Sequence, residues 1–175
     1  MGKGGLTPAQ RGTATHKFMQ FSNYEQASMD AKKELERLVS MGFLSPIEGG
    51  GVNLAAIKRF FGSSLYKRMS KASNVMREKK FTILMPLSVL DADVDDAIKD
   101  EKTVVQGIAD CVFIEDDELV IVDYKTDMNV SQEELISRYK PQLDIYKRAL
   151  GECLNMRVKQ ALIYSFYLSK TIEVL

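Results

Sequence analysis

Apolar and polar positions along this chain follow two periods, and the places where the period changes mark its elements. Thr7-Pro8 opens a helix, with Thr7 as N-cap and Pro8 at the first helical position. Ala27, Ala31, Leu35, Leu38 and Met41 recur at helical spacing and predict a second helix over 25–41, ended by Gly42. Ser45-Pro46 restarts the chain, Gly49-Gly50-Gly51 reads as a flexible loop, and short helices are expected over 53–61 and 63–72. An apolar strand over 82–89 is interrupted by Pro86, which points to an edge or a bulge. Residues 91–102 are acidic and poor in apolar side chains, as an exposed connection or short helix would be. Two arms rich in β-branched residues, 104–114 and 119–124, flank an acidic turn and predict a hairpin. Ser131 and Glu134 form a capping box that starts a helix running to about Leu150, where Gly151 ends it. Its stripe holds Leu135, Tyr139, Gln142, Tyr146 and Ala149. Strands over 159–168 and 171–174 follow. The order is helices, strand, hairpin, helix, strand, which predicts an α/β domain with a mixed sheet.

The hairpin carries the candidate chemistry. A turn symmetric about Asp116-Asp117 places Glu115 opposite Glu118, Phe113 opposite Val120, and Asp110 opposite Asp123. Opposed residues have Cβ atoms about 4.5–5.5 Å apart, and two carboxylates that close repel unless a proton or cation lies between them. Side chains alternate along a strand, so Asp123 and Lys125 share a face and Tyr124 takes the other. Two acids and an amine in one small volume suggest a metal site with a lysine beside it. Asp-Asp lacks the glycine of a tight two-residue turn, so a longer symmetric loop keeps the pairing equally well, while a bulge breaks it. A solvated hairpin with its acids in water is the alternative.

Composition narrows the classes. The 175 residues are one domain's length, and 45% hydrophobic with 27% charged residues is ordinary for a globular protein. The net charge of zero hides an asymmetry. Residues 51–90 carry eight Lys/Arg and one acid, whereas 91–135 carry fifteen acids and three lysines. A basic face for a polyanion beside an acidic, metal-gathering region is one reading, and two solvated surfaces of opposite sign is the other. Lys58, Arg59, Lys67, Arg68 and Lys71 are the corresponding phosphate-contact candidates. Two cysteines, Cys111 and Cys153, are too few for a zinc or iron–sulfur site and fit a reducing, cytoplasmic compartment. No apolar run approaches the ~18 residues that span a membrane. No Gly-X4-Gly-Lys-Ser/Thr string is present, so no nucleotide is expected to bind in a loop of that kind. Residues 1–6 read as an added tag, 7–75 as a helical segment and 76–175 as the core of a single domain.

GIAD at 107–110 and IVDYKTD at 121–127, followed by QLDIY at 142–146, resemble the PD-(D/E)XK nuclease superfamily. Within it, they are most similar to the C-terminal nuclease domain of AddA/RecB-type helicase–exonucleases. RGTATH at 11–16 resembles the Gly-Thr-X-X-His signature that precedes the nuclease core there. The resemblance implies a restriction-endonuclease-like fold with an N-terminal helical segment, and Mg²⁺-dependent hydrolysis of DNA, with Mn²⁺ as an alternative ion. It further implies that His16, Asp110, Asp123 and the backbone carbonyl of Tyr124 ligate the metal. Lys125 would serve the attacking water, and Gln142 and Tyr146 the strand. Glu78 stands where family members place a glutamate near the active centre, although Lys79-Lys80 departs from the apolar residues expected next. The implied context is a larger helicase–nuclease that processes broken DNA ends for recombinational repair. The helicase would lie on the same chain, and its partner would be a second nuclease-bearing protein of the AddB type. The iron–sulfur cysteines of AddB and Cas4-type relatives are absent from this sequence. A non-catalytic DNA-binding or scaffolding domain of the same fold, and a stand-alone exonuclease or resolvase, stay open at this point.

Overall fold

A computed structural model describes residues 6–90 and 93–175. The expected tag at 1–5 and the first two residues of the acidic connection lie outside the described residues. Helices α1 (Pro8–Phe21), α2 (Tyr24–Met29), α3 (Ala31–Ser40), α4 (Pro46–Gly51), α5 (Leu54–Phe61) and α6 (Ser64–Met69) come first. They are followed by β1 (Val75–Pro86), α7 (Leu87–Leu90), β2 (Lys102–Glu115), β3 (Glu118–Lys125), α8 (Gln132–Leu154), β4 (Val158–Ser165) and β5 (Lys170–Glu173). The five strands form one sheet in the order β1-β2-β3-β4-β5. β1, β2 and β3 pair antiparallel. Between β3 and β4 the Leu119 N–H donates to the Arg157 carbonyl and the Phe166 N–H to the Lys125 carbonyl, so the two strands advance together. Such a parallel pair needs a long crossover, and α8 supplies it. The result is the mixed sheet with flanking helices of a restriction-endonuclease-like α/β fold.

The chain divides into two compact units, each with its own core. One comprises Met1–Lys71, Tyr124–Val130 and Tyr164–Thr171, and the other Ala72–Asp123, Ser131–Ile163 and Ile172–Leu175. In the first, Ala14, Phe18, Leu38, Ile57, Phe60 and Leu65 are buried to within a few per cent of their surface. In the second, Val112, Phe113, Leu119, Ile121, Leu143 and Ile163 are fully buried. β3 is buried from Leu119 to Tyr124 without alternation, as a central strand covered on both faces must be.

Several local expectations need correction. The helix expected over 25–41 is two helices broken at Asp30, whose carboxylate accepts hydrogen bonds from the Lys32 and Lys33 N–H groups and so caps α3. Met41 is exposed rather than on the buried stripe, and Glu34 is buried in its place. The Glu34 carboxylate accepts the Asn23 N–H at 2.6 Å and the Arg37 guanidinium at 2.6 and 2.8 Å, which is what permits its burial. Gly49-Gly50-Gly51 is helical, not a loop, because Ser45 and Glu48 close a capping box around Pro46. A Cβ at Gly49 would strike Val39, so the glycine also sets how closely α4 packs on α3. β1 begins at Val75 and stops at Pro86, earlier at both ends than expected. α8 passes through Gly151 to Leu154 and is capped by Asn155 in the left-handed region instead.

Candidate active-site elements

In the second unit the hairpin register is settled by its turn. Asp116 and Asp117 both have left-handed φ, 53° and 59°, the signature of a type I′ two-residue turn made without glycine. Aspartate tolerates that region better than most residues, and Lys159 bridges the acids, with Nζ 2.7 Å from Asp116 and 3.0 Å from Glu115. Those two hydrogen bonds, the one to Asp116 first, hold the Lys159 ammonium above its ordinary pKa. From the turn, pairing runs from Glu115 with Glu118 to Cys111 with Val122. One step further in the same register Asp110 faces Asp123. The recorded ladder ends immediately before the two acids, so the strands are not held at ladder spacing there. Asp123 is 5% exposed, whereas Asp110 is half-buried.

Glu78 joins the same row from the other side. β1 pairs Arg77 with Cys111 and then Lys79 with Ala109, and the position skipped, facing Asp110, is Glu78. Its φ is 48°, a left-handed backbone inside a strand. For a residue that is not glycine this costs on the order of 1–2 kcal/mol, so the surrounding structure must hold it there. Three acidic positions, Glu78, Asp110 and Asp123, therefore fall in one row across three adjacent strands. Among the described residues, however, no group of three or more His, Cys, Asp or Glu stands close enough to hold a metal ion.

Tyr146 is set by two residues that the motifs do not include. Gly107 lies directly opposite Phe81, and a Cβ there would strike the Phe81 ring. The ring occupies the notch left by the glycine, is 4% exposed, and meets Tyr146 edge-on at 5.1 Å between centroids. A glycine inside a strand pattern signals a close approach of this kind, so Gly107 is readable in principle. Gln142 is half-buried one turn before Tyr146, directly after Pro141, which withholds an N–H from the helix ladder.

The first unit holds His16, Tyr124 and Lys125. Gly12 of α1 faces Thr126, whose Oγ1 would lie 2.7 Å from a Cβ at that position. The glycine thus lets the Gly-Thr-X-X-His helix press against the segment that follows Lys125. Four residues on, the half-buried His16 ring stands 6.5 Å from the Tyr124 ring at 72°. Tyr124 is 2% exposed, with Phe60 edge-on at 5.6 Å, Phe166 at 5.9 Å, and its hydroxyl 3.1 Å from that of Tyr24. The Phe166 N–H donates to the Lys125 carbonyl at 2.9 Å. The backbone carrying the Tyr124 carbonyl and the Lys125 side chain is thereby fixed on both sides. Of the basic candidates, Arg59 donates from Nε to Ser169 Oγ at 2.6 Å, and Lys58, Lys67 and Lys71 are exposed.

A mixed sheet with a D…D-X-K hairpin flanked by helices defines a nuclease class, and sequence comparison agrees. The chain belongs to the PD-(D/E)XK nuclease superfamily, whose family model matches residues 3–173. Among curated proteins it is similar to the AddA-type subunit of the ATP-dependent helicase/nuclease from Clostridium botulinum strain Loch Maree, 36% identical over 172 residues. The proteins of the same name from Acetivibrio thermocellus and Clostridium novyi are 38% identical over 168 and 36% over 174 residues. These alignments cover 94–97% of this chain but only 13–14% of the relatives' length.

Proposed function

We propose that this chain hydrolyses phosphodiester bonds in DNA with a bound divalent cation, Mg²⁺ or Mn²⁺. The observation that carries the reading is the hairpin register that sets Asp110 against Asp123, two residues before Lys125, in a member of this superfamily. The donor chemistry fits a hard cation. Two carboxylates, a backbone carbonyl and one imidazole favour Mg²⁺ or Mn²⁺ over zinc. A carboxylate as buried as Asp123 is also costly to hold ionised without positive charge nearby. Asp110, Asp123, the Tyr124 carbonyl and His16 would hold the ion, which when bound polarises the scissile phosphate and acidifies a water. The protein's own residues do the rest. Lys125 Nζ orients the attacking water and offsets charge on the phosphate oxygens. Glu78 adds a third acid to the row. Gln142 and Tyr146 position the strand. The aromatic packing of Tyr124 keeps its carbonyl and the Lys125 backbone preorganised.

The relatives' name supports placing this module in an ATP-dependent helicase–nuclease that processes double-strand breaks for recombinational repair in the cytoplasm. A helicase region on the same chain and a second nuclease-bearing subunit would be its partners. No described helix is long and apolar enough to cross a membrane.

Cleavage of end-labelled single- and double-stranded DNA in Mg²⁺, Ca²⁺ and EDTA tests the reading. Degradation that requires Mg²⁺ and disappears in Asp110→Ala and Asp123→Ala, with unchanged far-UV circular dichroism, is the expected result. Metal-dependent cleavage surviving in either variant would overturn the assignment. DNA binding without cleavage by the native chain would favour a non-catalytic binding domain.

A further inference from the structure

The first unit contains a cavity of about 940 Å³ lined by residues of α1, α4, α5, the segment after β3 and the β4–β5 turn. Nothing in the proposed chemistry uses it. Its wall includes Gly12 and Thr126, the contact that seats α1 against the segment following Lys125. Tyr167 is 45% exposed at the β4–β5 turn, Ile47 is 68% exposed and Met128 59%, and all three line the cavity. Arg11 is the charged residue among its described lining, and it is exposed.

An exposed aromatic is ordinarily costly to hold in one pose, yet Tyr167 is braced. Its hydroxyl donates to Asn129 Oδ1 at 3.4 Å. The Leu168 N–H donates to Ser165 Oγ at 3.1 Å, and Arg59 grips Ser169 at 2.6 Å on the far side of the turn. A rigid aromatic face, apolar side chains around it and a guanidinium without an acid among the lining residues make a site for a planar, anionic ligand. The volume lies within the ordinary range for small-ligand cavities, about 300–1,000 Å³.

We propose that this cavity receives an unstacked nucleotide of a single DNA strand, its base stacked on Tyr167 between the apolar walls and its phosphate met by Arg11. The proposal deepens the nuclease reading and rests on it for the identity of the polymer. Stacking on an aromatic is indifferent to base identity, so the site selects single strands over duplex without reading sequence.

The chain contains no tryptophan, so Tyr167→Trp introduces a single indole at the site. Oligo-dT titrated into that variant in EDTA should quench the indole emission with saturation, and duplex of equal length should not. By fluorescence anisotropy with labelled oligo-dT, Tyr167→Ala should bind about five- to 150-fold more weakly than native protein, the loss expected for one stacked base. Tyr167→Phe should bind as the native chain does, because it keeps the ring. Arg11→Ala should bind more weakly with a smaller salt dependence. Native-like affinity in Tyr167→Ala, or indole emission unmoved by saturating oligo-dT, would overturn the proposal, including the case where the cavity takes an apolar peptide instead. Cleavage of DNA by native protein with no indole response would reject the cavity and leave the nuclease reading standing. Quenching in a chain that never cleaves would do the reverse.

Discussion

Gly107→Ala tests how the strand pair is tied to α8. The new methyl would enter the space of the Phe81 ring, whose Cε1 and Cε2 would lie 2.8 and 3.0 Å away and whose Cζ would be closer still. Phe81 is 4% exposed and its ring rests on Tyr146, so moving it disturbs buried packing. Overpacking of this kind costs about 1–3 kcal/mol. Replacing a strand glycine recovers about 0.5–1 kcal/mol of backbone entropy. The net expectation is a loss of about 1–2 kcal/mol, or about 3–6 °C in Tm for a chain of this size. Urea unfolding followed by far-UV circular dichroism measures it. Phe81→Leu removes the ring and supplies the second edge of a double-mutant cycle. In that background Gly107→Ala should cost far less, giving a coupling of about 1 kcal/mol. Additive effects in the cycle, or a Gly107→Ala variant as stable as the native chain, would refute the notch as the reason for the glycine.

Two further outcomes follow from single residues. The Lys17 ammonium, 2.6 Å from Glu48, and the Ser45 N–H in the capping box hold the Glu48 carboxyl down at about 2, below its ordinary 4.5. A depressed carboxylate stabilises the fold above its unfolded pKa and loses that contribution as pH falls through the folded one. Stability should therefore decline between about pH 4.5 and 2, and Glu48→Gln should flatten this part of the curve in acid-titrated urea unfolding; an unchanged slope would remove the ion pair from the account. Glu78→Gly relieves a left-handed φ worth about 1–2 kcal/mol against a glycine entropy cost of about 0.5–1 kcal/mol. That variant should be as stable as the native chain or more so while losing DNA cleavage, and a loss of more than about 1 kcal/mol would mean that side-chain contacts, not backbone strain, govern the position.

What can be read from the sequence is local or periodic. The hairpin arms, their symmetric pairing and the opposition of Asp110 to Asp123 follow from alternation alone. The capping boxes at Thr7 and Ser131 mark the starts of α1 and α8. Asp30 and Asn155 escape a periodic reading because each ends a run whose apolar period continues across it. Gly151, a plausible stop, is overridden by the helix continuing past it to Asn155. The triple glycine at 49–51 suggests a loop because glycine lowers helix propensity, whereas here tight packing against Val39 and Leu6 needs the missing Cβ.

The unreadable part is set by partners distant in sequence. Asp116 and Asp117 carry a turn that favours glycine because Lys159, more than forty residues on, neutralises Asp116 and Glu115 beside it. Glu34 sits on an otherwise apolar face because Arg37 and the Asn23 N–H satisfy it. Glu78 shows most clearly what this means for finding a site. Its residue type suggests a surface ion pair with the lysines beside it, and no periodicity sets it apart. Only the backbone does, by holding a non-glycine residue left-handed at the strand position that faces Asp110. A fold gains no stability from such a conformation, so its presence in the acidic row argues that the row is retained for chemistry rather than for packing.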